Sequence, residues 1–181
     1  AHTVVIGKNR AVTGEFAVRK LDAQVIIMDD GYQHWTLHRD LDVVLVDTLN
    51  IFGNRRLLPR GTLREPLQNL DRAGLFLLTK TDQSSIFSRA ELRDILARHN
   101  KKAPIIESVH RPVNFVEIAD WYKGLLTTAR SLEDLSGSSV MVFSAIGNPS
   151  SFEQTLADVG LDIREAIRYP DHHDYGMLEM Q

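Results

Sequence analysis

The sequence predicts an α/β sandwich built on a mostly parallel sheet. The first observation behind this prediction is a set of short, uninterrupted apolar runs, which are typical of strands buried on both faces of a sheet. The second is that stretches of helical character lie between several of them, as right-handed strand–helix–strand crossovers require. The runs are TVVIG (3–7), QVIIMDD (24–30), DVVLVD (42–47), GLFLLT (74–79), APIIES (103–108) and SVMVFSAIG (139–147).

Helices are predicted at 11–21, 63–72, 85–99 and 149–159. Ser84 or Ser85 can cap the third helix, because a serine hydroxyl accepts from the free N–H groups of a first turn. Pro149 suits the start of the fourth helix and Gly160 its end.

The domain prediction has three parts. Residues 1–109 form a nucleotide- and magnesium-binding α/β lobe, and residues 137–181 begin a second α/β lobe that is incomplete. Between them, 110–136 has weak periodicity and a Gly/Ser-rich end, which favours a linker containing a β-hairpin. The sequence starts without Met and ends where a helix is predicted to begin, so we expect it to be cut at both ends.

Composition narrows the class of protein. Among 181 residues, 43% are hydrophobic and 25% charged, which is ordinary for a globular protein. The net charge of −3 gives no case for nucleic-acid binding. There is no cysteine, so disulfides and a thiol nucleophile are excluded. No apolar run approaches the roughly 20 residues of a membrane-spanning helix.

Asp29 and Asp30 follow the apolar run 24–30 and give the strongest local signal for chemistry. A strand that ends in two acids has the form of a Walker B element, since the carboxyl ends of parallel strands face the ligand crevice. Carboxylate oxygens suit Mg²⁺. His34, shortly after, could face the same site. The alternative is a plain strand-end turn, because Asp-Gly is a common turn pair.

Two further segments carry polar side chains of interest. FGNRRLLPRGTLREP (52–66) is rich in arginine and can present guanidinium groups to phosphate, with Arg64 and Glu65 near the start of the next helix. The alternative is a solvated basic loop. TKTD (79–82) places Lys80 and Asp82 after a strand, where they could border a nucleotide base or form an ordinary polar loop.

The segment YPDHHDY (169–175) holds two histidines and two acids. An Asp171–His172 pair could move protons, with the carboxylate orienting the imidazole. The triplet is also the motif of a metal-dependent phosphoesterase family, and His173 could be a surface residue with no role. Arg10, after the first apolar run, could reach a phosphate or lie at the surface of a helix start.

Taken together, five segments resemble one family, the tetraacyldisaccharide 4′-kinases of lipid A biosynthesis. The segments are DDGYQH (29–34), FGNRRLLPRGTLREP (52–66), TKTD (79–82), IGNPSSF (146–152) and PDHHDY (170–175). The resemblance implies a P-loop-NTPase-like three-layer α/β/α fold with two lobes joined by a short β linker. It implies ATP and Mg²⁺, and a tetraacyl glucosamine disaccharide 1-phosphate as acceptor. It also implies peripheral contact with the cytoplasmic face of a bacterial inner membrane.

The resemblance further implies roles for particular residues. Asp29 and Asp30 match the family's metal-holding acids, and Arg10 the arginine near the phosphates. His172, with Asp171, matches the histidine that works with the catalytic aspartate. The remaining expected contacts are Arg64, Glu65, His34 and Asn54 with substrate or phosphate, and Lys80 and Asp82 with the nucleotide.

The family's glycine-rich phosphate loop and its acceptor-activating aspartate do not occur in these 181 residues. We therefore predict that the chain alone does not phosphorylate anything. The alternatives are a DHH-type phosphoesterase built on Asp29, Asp30 and the two histidines, and a non-catalytic binding module on a kinase scaffold. The oligomeric state is not readable from the sequence.

Overall fold

A computed structural model describes residues 3–125 and 129–175 of the chain. These residues form two compact units. The first unit contains the described residues of 1–46, 50–78 and 90–106. The second contains those of 47–49, 79–89 and 107–181.

The described residues contain four α-helices, seven strands and two 3₁₀ helices. The α-helices are α1 Arg10–Leu21, α2 Ile86–His99, α3 Ile118–Tyr122 and α4 Pro149–Asp158. The strands are β1 Val43–Asp47, β2 Leu75–Thr79, β3 Ile105–Glu107, β4 Asn114–Phe115, β5 Arg130–Ser131, β6 Ser139–Ser144 and β7 Asp162–Arg168. The 3₁₀ helices are Leu67–Arg72 and Leu132–Leu135. Within the described ranges, no helix has the length and apolar character needed to cross a membrane.

A three-stranded sheet with the order β1–β2–β3 forms the centre of the first unit. The N–H of Leu75 donates to the carbonyl of Asp42 at one end, and that of Thr48 to Thr79 at the other, so β1 and β2 run parallel. β3 runs in the same direction, because the N–H of Phe76 donates to Pro104 and that of Thr81 to Ser108. Parallel pairing of the three strands confirms the prediction of a mostly parallel sheet.

The core of the first unit lies where β2 meets α2. Phe76 and Leu78 alternate along β2 and are fully buried, as are Leu92 and Leu96, one turn apart on α2. Each such side chain stabilises the fold by about 1.5–3 kcal/mol when it leaves water. The whole buried cluster is Val46, Leu70, Ala73, Phe76, Leu78, Leu92 and Leu96.

Side chains at the helix ends determine where the helices start. Asn9 caps α1 by accepting from the N–H groups of Ala11 (3.1 Å) and Val12 (3.3 Å). Ser85 accepts from the N–H of Ser88 at 3.0 Å and caps α2, which settles the choice left by the sequence. Asn148 caps α4, and Gly160 follows that helix with a φ of +92°.

The second unit contains a parallel pair, β6 and β7, joined by α4. The register runs from Ser139 opposite Asp162 to Ser144 opposite Arg168. The antiparallel pair β4–β5 also belongs to this unit and falls within the predicted linker segment 110–136. β7 was not predicted, because DIREAIR mixes charged and apolar residues and has neither a clean alternation nor a long apolar run.

Three predicted elements differ in the structure. The runs 3–7 and 24–30 are not strands, and Ile6 and Ile27 are 90% and 92% exposed. Neither run has a neighbouring strand among the described residues, and an apolar run does not form a strand without a hydrogen-bonded partner. The helix predicted at 63–72 begins only at Leu67 and is a 3₁₀ helix, because Pro66 holds an extended backbone just before it.

Candidate functional site

The turn at Asp29 and Asp30 presents two carboxylates to solvent. Asp30 has a φ of +49°, a left-handed conformation that Asp tolerates better than most residues. The next turn closes when the N–H of His34 donates to the carbonyl of Gly31 at 2.9 Å. The sequence predicted a strand that ends in two acids, as in a Walker B element, but the run before Asp29 is not a strand, and only the turn is present.

Asp30 is paired with Arg64. One guanidinium nitrogen of Arg64 lies 2.8 and 2.7 Å from the two carboxylate oxygens. The hydrogen bond and the charge of Asp30 raise the pKa of Arg64 above its ordinary value. Both side chains are more than half exposed, and exposed ion pairs contribute only about 0–1 kcal/mol. A phosphate or a cation could therefore replace either partner at low cost.

Asp29 makes no hydrogen bond or ion pair with any other described residue. Across the described ranges, no three His, Asp or Glu side chains are grouped so as to hold a metal by themselves. Mg²⁺ commonly takes one or two protein carboxylates and fills its other positions with water and phosphate oxygens. The exposed oxygens of Asp29 and Asp30 fit that requirement.

Glu65 has a different environment from its neighbour Arg64. Its carboxylate accepts hydrogen bonds from Gln33 (2.7 Å), Asn69 (2.6 Å) and Arg72 (3.0 and 3.2 Å). Its side chain is only 12% exposed. Glu65 thus links the segment after Asp30 to the 3₁₀ helix Leu67–Arg72, and its carboxylate oxygens already accept hydrogen bonds from protein donors.

Arg72 completes this network and was missed by the sequence analysis. Its guanidinium carbon lies 4.4 Å from the centroid of the Tyr32 ring and 5.5 Å from that of Trp35. It also donates to the carbonyl of Tyr32 at 3.2 Å. The Tyr32 hydroxyl donates to the carbonyl of Asn69, and burial raises the pKa of the Tyr32 phenol although Arg72 opposes that effect. These partners are about 40 residues apart, so no local pattern could have revealed them.

A second feature of the first unit is an open cleft at the start of α1. The residues that line it are Lys8, Asn9, Arg10, Ala11, His34, Thr36 and Leu37. Two predicted site residues, Arg10 and His34, therefore lie around one cleft. Arg10 also donates to the carbonyl of Gly7 at 3.3 Å, and the His34 ring lies 3.4 Å from the Thr36 hydroxyl. The cleft has a basic lining suited to an anion.

Asn54 supports the arginine-rich loop from within. Its amide donates to the carbonyl of Arg60 at 2.9 Å and accepts from the N–H of Arg56 at 3.1 Å. Gly61 lies directly against it, because an added Cβ would sit 2.1 Å from the Asn54 side-chain oxygen and 2.2 Å from the Arg56 carbonyl. The loop conformation thus depends on this glycine.

Lys80, in the second unit, adopts a left-handed conformation with a φ of +56°. Its ammonium lies 2.7 Å from Asp47 at the end of β1. The buried hydroxyl of Thr48 donates to the carbonyls of Thr79 (2.8 Å) and Lys80 (3.0 Å), and so holds this conformation. Strained positions of this kind are enriched at functional sites. Asp82 is exposed.

Asp171 and His172 also belong to the second unit. His172 has a φ of +59° and a side chain that is 95% exposed. Its Nε2 lies 3.9 Å from a carboxylate oxygen of Asp171, which is longer than a hydrogen bond. Distances between catalytic groups often shorten only when substrate is bound, so this geometry is compatible with proton transfer.

Parallel strands followed by loops with acidic and basic side chains are typical of α/β proteins that bind ligands at the carboxyl ends of their strands. The comparison with known families agrees. The model of the tetraacyldisaccharide-1-P 4′-kinase family matches residues 1–181. The chain belongs to this family, which confirms the resemblance seen in the sequence.

Individual relatives give the same result. A tetraacyldisaccharide 4′-kinase of Halothermothrix orenii is 37% identical over 95% of this chain and 46% of its own length. One from Elusimicrobium minutum is 40% identical over 95% of this chain and 44% of its own. The chain spans about half the length of the curated relatives it matches.

A solved structure is also similar. The crystal structure of LpxK from Aquifex aeolicus in complex with ATP aligns with a TM-score of 0.62 and 29% identity. The alignment covers 93% of this chain and 47% of that one. These matches are to kinases, and they give no support to the phosphoesterase alternative.

Proposed function

We propose that the complete protein transfers the γ-phosphoryl group of ATP to the 4′-hydroxyl of a tetraacyl glucosamine disaccharide 1-phosphate. The observation that carries this proposal is the family match along the whole chain. The geometry of the first unit supports it, because exposed carboxylates and guanidinium groups lie on loops where a nucleotide phosphate could be held.

Phosphoryl transfer depends mainly on positioning and on neutralising charge. Asp29 and Asp30 would hold Mg²⁺, which would neutralise charge on the phosphates. Arg10 and Arg64 would bind phosphate oxygens, and the pairing of Arg64 with Asp30 keeps its guanidinium in place before substrate arrives. Glu65 and Asn54 would act by holding their loops.

We propose that residues of the second unit have the roles that the resemblance implies. His172 would position or tune the group that accepts the proton of the acceptor hydroxyl, and Asp171 would orient His172. Lys80 and Asp82 would border the nucleotide base, with Lys80 fixed by its ion pair to Asp47. Since the acceptor carries acyl chains and ATP is cytoplasmic, we extend the proposal to peripheral contact with the cytoplasmic face of the inner membrane.

The test is a phosphorylation assay on the complete protein, with MgATP and the lipid disaccharide, read out by mass spectrometry of the product. We expect a product that gains one phosphate at the 4′ position. Asp29→Asn and Asp30→Asn should each lower kcat by about 10²–10³-fold, a typical cost of losing one charge-stabilising group.

Asp40→Asn is the matched control, because Asp40 is an exposed acid of the same unit that this proposal does not place at the site. Its activity should equal that of the wild type. If the wild-type protein instead hydrolyses a phosphodiester with manganese, and forms no phosphorylated lipid, the kinase proposal is wrong.

A further inference from the structure

The two adjacent histidines of the second unit have opposite environments. The His172 ring is almost fully exposed. The His173 ring is half-buried and stacks on Tyr169, with ring centroids 4.5 Å apart and planes inclined by 12°. The sequence left His173 as a possible surface residue with no role, but its ring is half-buried, whereas that of His172 is exposed.

His173 belongs to a cluster of four rings. Tyr175 packs edge-on against His173 (5.4 Å), Tyr169 (5.3 Å) and Phe143 of β6 (5.4 Å). Such edge-to-face and stacked pairs are favourable beyond the area they bury. We call Phe143, Tyr169, His173 and Tyr175 the aromatic clamp. It joins both ends of the turn 170–174 to β6.

Backbone hydrogen bonds attach the same turn to the end of β6. The N–H of Tyr169 donates to the carbonyl of Ser144 at 2.8 Å, and that of His172 to Ala145 at 3.2 Å. The N–H of His173 donates to Pro170 at 3.0 Å and closes the turn. Within this frame His172 has a φ of +59°, which is unfavourable for a residue with a Cβ and needs support from its surroundings.

We infer that His173 is a positioning residue, whose stacking in the aromatic clamp holds the turn and presents the His172 imidazole to the reaction. Stacking on Tyr169 requires a planar ring, and a phenyl ring at position 173 can supply one. This inference rests on the proposed function for the role of His172, but the clamp itself can be tested without turnover.

The experiment compares His173→Ala and His173→Phe in the complete protein. Hydrogen exchange of the Tyr169, His172 and His173 amides reports the clamp directly. We expect about tenfold faster exchange in His173→Ala and near wild-type exchange in His173→Phe, because only the first variant loses the stack. Tyr169→Leu removes the other half of the stack and should behave like His173→Ala. Amides of β2 serve as the reference for correct folding of the first unit.

Kinetics then link the clamp to chemistry. We expect His173→Ala to lower kcat by about 10–10²-fold with little change in KM, as for a misplaced catalytic group. His173→Phe should stay within about threefold of the wild type. Equal losses in both variants would overturn the inference, since the imidazole itself would then be required. Unchanged exchange in His173→Ala would overturn it as well.

The two proposals fail in different ways. If His172→Ala has wild-type kcat while exchange follows the expected pattern, the assigned role of His172 is wrong and the clamp stands. If His172→Ala is inactive while His173→Ala is unchanged in exchange and in kcat, the kinase proposal stands and the clamp is wrong.

Discussion

Arg64 shows how one side chain can be paired in the structure and still be available for a ligand. Its ion pair with Asp30 is short but largely exposed. The pair therefore contributes little to stability, about 0–1 kcal/mol. The pair places the Arg64 guanidinium beside the turn at Asp29 and Asp30, where we propose that it binds phosphate oxygens.

We predict that Arg64→Ala in the complete protein lowers kcat/KM by about 10–10²-fold and leaves the melting temperature nearly unchanged. Activity assays and thermal unfolding check this. Arg19→Ala is the control, because Arg19 forms a similar exposed pair with Glu15 (2.8 Å) on α1 and should affect neither quantity. A large drop in melting temperature for Arg64→Ala would show that the pair is structural.

Gly61 gives a second prediction at the scale of one residue. A Cβ at this position would collide with Asn54 and with the Arg56 carbonyl, so Gly61→Ala should destabilise the protein by about 1–3 kcal/mol. A Cβ at Gly14, inside α1, would lie 3.7 Å from the Ile26 side chain, which is an ordinary van der Waals contact. Gly14→Ala should stabilise by about 0.5–1 kcal/mol. Chemical denaturation of both variants measures the difference, and shifts of the same sign would contradict this account.

At the scale of elements, sequence patterns located most helices and strands but not their partners. β1, β2 and β3 were predicted because each is a short apolar run, and each has a neighbouring strand in the structure. The equally apolar run 24–30 is not a strand, since strand formation depends on a neighbour that a local pattern does not contain. β7 shows the converse, because pairing with β6 makes a strand of a segment rich in charges.

The same reasoning applies to the site. Asp30 and Arg64 were both named as candidate site residues, but their direct pairing across 34 positions was not predicted. The network around Glu65 could not be recognised, because Gln33 lies 32 positions before Glu65, far from Asn69 and Arg72 in the sequence. Local sequence indicates which side chains can do chemistry, and tertiary packing decides which of them meet.

Glu153 on α4 links that helix to β7 and gives a prediction about pH. The Arg168 guanidinium, bonded at 2.8 and 2.7 Å, lowers the pKa of Glu153. A carboxylate whose pKa is lower in the folded than in the unfolded state stabilises the fold when the pH is above its unfolded-state pKa. For Glu that pKa is about 4.3. That stabilisation is lost as the pH falls through the lower folded value.

We therefore expect Glu153→Gln to have a lower free energy of unfolding than the wild type at neutral pH. The difference between the two proteins should disappear in acid. Urea denaturation at several pH values measures it. In an Arg168→Met background, Glu153→Gln should have a much smaller effect at neutral pH, because the partner is gone. A gap that does not change with pH would mean that the ion pair is not its cause.

At the scale of the whole molecule, the buried apolar cluster lies in the first unit and depends on α2 packing against the sheet. Leu92 is fully buried there, whereas Ile86 on the same helix is 74% exposed. Leu92→Ala removes buried atoms and leaves a cavity, which costs about 2–5 kcal/mol. For a chain of this size that corresponds to a fall in melting temperature of about 5–15 °C.

Ile86→Ala removes a similar side-chain volume from the same helix. It should lower the melting temperature by only about 1–2 °C, because substitutions at the surface change the free energy of unfolding little. Thermal unfolding of the two variants side by side measures the contrast. Equal shifts in the two variants would mean that burial of α2 does not determine the stability of this unit.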